Sequence, residues 1–264
     1  MLPFVKDTQV LTSKNLIHGF STRLKGISPY PFDTLNLGFS GGDAPERVIK
    51  NREIFFSSLG IDPKKIFLTK QVHGNQVFSI DKQVIDYEAL KKRASQEACD
   101  ALITNQTGIP LTVLTADCVP LIVWDPVQRA IGVIHAGWRG TLRKVTEATL
   151  QAMRITFRTH PRDCRVVIGP SIRGCCYEVD RMVVEPFKAT FSYADCLMIQ
   201  KGDRTWLLDL AQANHQQLIR SGVREENISM LNYCTSCRSD LFFSYRRDGK
   251  RTGRMLSTAM LLTD

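Results

Sequence analysis

The sequence predicts an α+β layered domain, with helices covering mixed, buried sheets. Three observations carry that reading. LTVLT (111–115), VPLIVW (119–124) and AIGVIH (130–135) are apolar runs with little alternation, as in strands buried on both faces. Helical segments such as 44–59 fall between strands without a regular βαβ rhythm. No internal repeat or low-complexity linker divides the 264 residues, so a single domain over 1–264 is expected.

The first forty residues are rich in turn formers, with Gly19, Gly26, Pro29, Pro31, Gly38, Gly41 and Gly42. A helix follows over 44–59, with Asp43 as N-cap, Pro45 and Glu46 in its first turn and Gly60 past its end. Val48, Arg52, Phe55 and Leu59 share one face of it. Ile66–Thr69 and Gln76–Ile80 read as short strands around the loop 70–75, and 81–98 reads as a polar surface excursion. Asp125-Pro126 turns the chain between the second and third apolar strands. After His135 come Ala136-Gly137-Trp138-Arg139-Gly140 and a helix over 141–157. CRVVIGP (164–170) is a further buried strand. Helices near 180–191 and 207–221 follow, the second capped at Asp209 and stopped by Gly222. Strands near 228–234, 241–247 and 254–262 complete the reading.

Composition bounds the partners. Lys plus Arg is 35 and Asp plus Glu 26, a net charge of +9 that suits anionic ligands. With 43 % hydrophobic and 23 % charged residues, the chain has the makeup of a folded protein, not a disordered one. Residues 1–15 hold no apolar stretch of signal-peptide length, and VPLIVW is far short of the roughly 20 residues a membrane helix needs. A soluble, cytoplasmic protein without a membrane partner is expected. Its eight cysteines are then mostly buried thiols. Cys234-Thr-Ser-Cys237 is a CxxC, but a zinc ribbon needs a second such pair and the sequence has none. A redox CxxC opens a helix after a strand, whereas this one leads into the strand-like LFFSYR, so the motif and the vicinal Cys175-Cys176 are read as structural.

Three places depart from ordinary core: Gln71-Val72-His73-Gly74, Thr115-Ala116-Asp117-Cys118-Val119-Pro120, and His135-Ala136-Gly137-Trp138-Arg139-Gly140. Burying Asp117, Cys118 and His135 among apolar residues costs free energy unless each is paired or holds a ligand. Cys118 and His135 lie on consecutive strands that can pair, while His73 joins them only through the fold. Two imidazoles and a thiolate suit Zn²⁺ and leave a fourth position open, the pattern of catalytic zinc. A metal-free Cys–His pair is the other chemistry, a thiolate nucleophile activated by imidazole. Glycine turns after strands bring backbone N–H groups to a ligand, and Arg139 adds a bidentate anion donor. Gly169-Pro170-Ser171-Ile172-Arg173-Gly174 repeats that theme.

QVHG (71–74), TADCVPLIV (115–123), HAGWRG (135–140) and GPSIRGCCYEV (169–179) resemble the motifs of one family, in order. GFSTRLKGIS…LNLG (19–38), Asn51-Arg52, DALIT (100–104) and FFSYRRDGKRTGR (242–254) extend the match over nearly the whole chain. That family is labelled multicopper polyphenol oxidase or laccase domain, and its members are recognised as zinc-dependent purine nucleoside phosphorylases. The resemblance implies a zinc held by His73, Cys118 and His135, which are also the catalytic centre, with copper the lesser candidate. It implies a four-layer α/β/β/α fold related to cysteine–histidine toxin deamidases. It implies phosphate-dependent cleavage of adenosine, inosine or methylthioadenosine, and deamination of adenosine. Purine nucleoside and phosphate are then the partners, with Arg139 and Arg52 set against phosphate and Asn36 and Gln71 against the nucleoside. The usual Gly-Gly before Val/Ile-Ser is Lys25-Gly26 here.

Rival readings are an amide hydrolase using the Cys–His pair, a copper oxidase at the same ligands, and a nucleic-acid binder. A true multicopper oxidase needs many histidines, and this chain has five. Residues 238–254 hold six basic against two acidic groups, interleaved with Phe242, Phe243 and Tyr245. That pattern resembles an RNA-facing strand, but buried aromatics under a basic surface strand are the expected arrangement. Oligomeric state is not legible.

Overall fold

A computed structural model describes residues 2–81 and 86–263. In chain order the first elements are β1 (Phe4–Val5), β2 (Leu16–Ser21), α1 (Pro45–Ser58), β3 (Val77–Ile80), α2 (Tyr87–Gln96) and β4 (Ala101–Thr104). Next come β5 (Leu111–Thr115), β6 (Val119–Asp125), β7 (Ala130–Ala136), α3 (Trp138–Leu142), α4 (Val145–Phe157) and β8 (Arg165–Ile168). The remainder is β9 (Glu178–Asp180), α5 (Arg181–Thr190), β10 (Met198–Gly202), β11 (Thr205–Leu208), α6 (Leu210–Arg220), β12 (Ile228–Met230), α7 (Tyr245–Asp248) and β13 (Met255–Leu261).

A six-stranded sheet runs β12-β8-β6-β7-β4-β3, a four-stranded sheet β1-β2-β13-β5, and a small one β10-β11-β9. In the six-stranded sheet, β12/β8 and β3/β4 are parallel and the other pairs antiparallel. Strand alternation builds the layers. Leu121 and Val123 of β6, with Ala130 and Ile134 of β7, pack under residues of α4, α5 and α6. Their neighbours Ile122, Trp124, Ile131 and Val133 face Phe20, Leu111, Val113 and Ala259 of the four-stranded sheet. On the far side of that sheet, Leu256 and Met260 pack against Phe55 and Phe56 of α1. The order is therefore helices, sheet, sheet, helix, the expected α/β/β/α layering. Every residue of β6, β7 and β13 is buried. Each large apolar side chain so placed contributes about 1.5–3 kcal/mol on burial.

Several expected elements differ. Ile66–Thr69 forms no strand: Phe67 enters one core and Ile66 and Leu68 another, but its backbone pairs with no ladder. Within 81–98, residues 82–85 lie outside the described residues, and 87–96 is a helix with most of its residues exposed or half-buried. Asp86 caps it, and Leu90 and Ala94 bury a single narrow stripe. The helix expected over 141–157 starts earlier, at Trp138, and is broken at Lys144, whose φ is 61°. LFFSYR is no strand. Leu241, Phe242 and Phe243 are buried in a small core with Met255, and Ser244 caps α7 by accepting the Arg247 N–H. Asp43 does not cap α1; Ala44 takes that position, and Asp43 accepts Ser28 Oγ and Asn36 Nδ2 in a buried network. The strands β1, β2, β9, β10 and β11 have no counterpart in the sequence reading.

Candidate metal centre

In the β6/β7 ladder Pro120 is opposite His135 and Val119 opposite Ala136. Cys118, one residue before β6, therefore lies against Gly137, one residue after β7. That juxtaposition is the one the paired-strand reading anticipates. A Cβ on Gly137 would stand 2.7 Å from His73 Cδ2 and 3.0 Å from Cys118 Sγ, so close approach requires glycine there.

His73 arrives from the 71–74 loop with a φ of 58°, a left-handed conformation that a side chain resists. Asp100, just before β4, holds the loop in place. Its carboxylate accepts the N–H groups of Val72 (3.1 Å), His73 (2.9 Å) and Gly74 (2.6 Å). The same carboxylate lies 2.8 Å from His135 Nδ1. Burial works against the charge of Asp100, but the bonds from His135 and Gly74 keep it below the usual carboxylate range. His135 Nδ1 is thus committed, and Nε2 is the nitrogen left for a ligand.

Cys118 Sγ is 3.9 Å from His73 Nε2, the two imidazole centroids are 4.8 Å apart, and the three ligand atoms all lie within 4.8 Å of one another. A tetrahedral zinc with bonds of about 2.0–2.3 Å spans neighbouring ligands by roughly 3.5 Å, so the set fits. Burial opposes ionisation of Cys118, yet the two imidazoles outweigh it and bring the thiol down to about 6. His135 is pushed up to about 9, against its own burial, by Cys118 and Asp100.

The three residues open into a cavity of about 600 Å³. Leu114, Ile172, Leu210, Trp138, Tyr177 and Tyr245 supply apolar and aromatic walls. Arg139, Arg246 and Arg254 reach the same cavity. Arg139 stacks on Trp138 at 4.3 Å, and Arg246 on Tyr177 at 4.8 Å. Among the described residues none of the three guanidiniums is bridged to a carboxylate. Burial raises the Tyr177 phenol to about 12, so it stays protonated. Asp117 has a φ of 89° and ties the rim together: its oxygens accept Thr235 Oγ1 and the Arg246 N–H, both at 2.6 Å.

The four further residues anticipated from sequence divide. Gln71 and Arg139 line the cavity; Asn36 and Arg52 do not. Gln71 spends both ends of its amide on Leu114, donating to its oxygen at 2.8 Å and accepting its N–H at 2.7 Å. Asn36 is buried and accepts the Arg254 N–H at 2.9 Å. Arg52 donates from Nε to Leu37 O and lies over Phe39. Lys25, the departure in the N-terminal motif, has a φ of 73° and is not on the cavity wall. Sequence reasoning missed Asp100, Tyr177, Arg246 and Arg254 as site residues. For Asp100 the available signal was a carboxylate directly abutting the apolar run ALIT. The basic stretch 238–254 is neither an RNA-facing strand nor a uniform coat. Phe242 and Phe243 are fully buried, Arg238 pairs with Asp240, and Arg246 and Arg254 enter the cavity.

Fold and site define an α+β layered protein in which two histidines and a cysteine that could hold a metal ion open into a cavity with three arginines. The family model described as multi-copper polyphenol oxidoreductase laccase matches residues 17–262, and the chain belongs to that family. It is 36 % identical over 245 residues to the purine nucleoside phosphorylase YlmD of Bacillus subtilis, covering 93 % of this chain and 88 % of that protein. It is 36 % identical over 242 residues to the purine nucleoside phosphorylase YfiH of Escherichia coli, covering 92 % of each. The crystal structure of YlmD from Geobacillus stearothermophilus superposes with a TM-score of 0.87 at 30 % identity, over 100 % of both chains. No helix among the described residues is long and apolar enough to cross a membrane.

Proposed function

We propose that the chain is a zinc-dependent purine nucleoside phosphorylase acting on adenosine, inosine or methylthioadenosine. One observation carries the reading: a single cavity holds both the candidate ligand set and three guanidiniums that no carboxylate among the described residues bridges. The names of the relatives from B. subtilis and E. coli agree with it. His73, Cys118 and His135 would hold the ion, which when bound supplies Lewis-acid polarisation of a phosphate or substrate oxygen. Arg139, Arg246 and Arg254 gather and orient phosphate, offsetting its charge. Trp138, Tyr177 and Tyr245 present aromatic faces to the purine. A phosphate oxygen attacks the anomeric carbon, the glycosidic C–N bond breaks, and the electron pair leaves with the purine. Tyr177, protonated and beside Arg246, is placed to donate a hydrogen bond to the departing base. The products are ribose 1-phosphate and free base. Within this reading Gln71 shapes the wall, and Asn36 and Arg52 set the loop that carries Ser40 to the cavity.

Incubation with adenosine and phosphate, followed by product separation, tests the proposal. Adenine and ribose 1-phosphate in equal amounts are expected; their absence with every purine nucleoside tried overturns it. Inosine formed without phosphate would reveal the accompanying deaminase activity.

A second reading rests on Asp100, His135 and Cys118, which in metal-free form are ordered as carboxylate, imidazole and thiolate. It predicts hydrolysis of amide or acyl substrates that persists after chelation and needs no phosphate. Multicopper oxidation is disfavoured by ligand count. Among the described residues only two of the five histidines, His73 and His135, join a group that could hold a metal; His18 and His160 accept backbone N–H groups elsewhere.

A further inference from the structure

We propose that Cys175, Cys176, Cys234 and Cys237 form a second metal site, a tetrathiolate centre for zinc, which clasps two loops bordering the cavity. The sequence offers one CxxC and no second, and on that ground a ribbon-like site is not expected. The fold supplies the missing pair as the vicinal Cys175-Cys176. Strands β8 and β12 are parallel neighbours, so their following loops leave the sheet at the same end. Those loops then pair: Ser171 N–H donates to Tyr233 O at 3.3 Å, and Thr235 N–H to Ser171 O at 3.0 Å. The turn closed by Arg238 N–H on Cys234 O (3.0 Å) carries Cys237 back beside Cys234. The turn closed by Cys176 N–H on Arg173 O (2.9 Å) presents Cys175 and Cys176.

Cys237 Sγ lies 3.5 Å from Cys175 Sγ and 3.3 Å from Cys176 Sγ, and all four sulfurs are within 4.8 Å of one another. Four thiolates at about 2.3 Å from one tetrahedral ion stand roughly 3.8 Å apart, so closure needs only small side-chain shifts. All eight cysteines are free thiols. Packing alone is a poor account of the cluster. Cys175 and Cys237 are exposed, and a thiol is too weak a donor to gather four sulfurs. The adjacent carboxylate, Asp209, is already bonded to Arg173 at 3.0 Å. All-sulfur donors select a soft d¹⁰ ion and leave no open position, so the role is structural. Binding releases the four thiol protons and leaves the centre with two negative charges. The clasped loops carry Ile172 and Tyr177 to the cavity and Thr235 to Asp117.

Metal content of the full chain, purified under reductant without chelator, tests this directly. The double variant Cys118→Ala/His135→Ala lacks the first site and is expected to retain one zinc per chain. Exchanged for cobalt, it should show the intense visible bands of a tetrahedral tetrathiolate. Adding Cys234→Ser should abolish both, and Cys237→Ser alone should remove one of two equivalents from the parent chain. Cys237 is exposed, so this variant keeps the test independent of folding. A double variant that binds no zinc while circular dichroism shows it folded overturns the proposal. So does a disulfide between any two of the four cysteines in reductant-purified protein.

Discussion

His135 Nδ1 lies 2.8 Å from Asp100 Oδ1, and that one carboxylate also receives three backbone N–H groups of the loop that carries His73. One buried group therefore sets the tautomer of one ligand and the backbone of another. In Asp100→Asn an amide NH₂ would confront two of those four donors. We expect metal affinity to fall about 10–100-fold. Zinc competition titration measures it, and excess zinc should restore activity if Asp100 acts by positioning.

Gly137→Ala places a methyl group 2.7 Å from His73 Cδ2 and 3.0 Å from Cys118 Sγ. The ligands are pushed apart while the β6/β7 ladder beside them is kept. Metal affinity should drop about tenfold or more, with a much smaller loss of melting temperature than a core truncation gives. Equal metal content in variant and parent would contradict this geometry.

Arg139 stacks on Trp138 at the cavity wall, with no carboxylate partner among the described residues. Arg139→Ala should raise the KM for phosphate about 10-fold or more, the cost of a charge-assisted contact. The nucleoside KM should move far less. Initial-rate kinetics with each substrate varied separately make the distinction.

His18 is buried in β2, where its Nε2 accepts the Asp7 N–H at 3.1 Å. Burial draws its pKa down to about 4 from 6.5. Below 6.5 the unfolded chain takes up the proton that the folded chain refuses, so stability falls with pH until about 4. By pH 5 the loss from this residue is about 2 kcal/mol. Urea unfolding of wild type and His18→Gln at pH 7.5 and pH 5 should show a correspondingly shallower loss in the variant. Parallel pH dependence of the two proteins would refute it.

Lys25 is exposed and has a φ of 73°. Lys25→Gly should stabilise the protein by about 1 kcal/mol without changing activity, because glycine adopts that φ without strain. Thermal melts are sufficient to check it.

What the sequence disclosed depended on the range of the interaction. Cys118 and His135 could be brought together from the sequence alone because only a turn separates two apolar strands. His73 and its anchor Asp100 are 27 residues apart and meet through the β3/β4 pairing, which no local pattern encodes. The fully buried β6 and β7 announced themselves as apolar runs, whereas β2 reads LIHGFS, with a polar residue in mid-strand, and β10 is largely exposed. The break before α4 falls on Lys144, a good helix former held at positive φ by its surroundings. Arg246 and Arg254 looked like surface charge because basic residues surround them; which of them turn inward is decided by the burial of Phe242 and Phe243 beneath.

In the four-stranded sheet, β13 is the last strand in sequence and yet lies between β2 and β5. Those two strands are joined to each other only through residues 255–261. The same strand carries Leu256 and Met260, on which Phe55 and Phe56 of α1 pack. Arg254, a wall of the cavity, immediately precedes β13. One segment thus closes both the sheet and the cavity, and its removal takes away both.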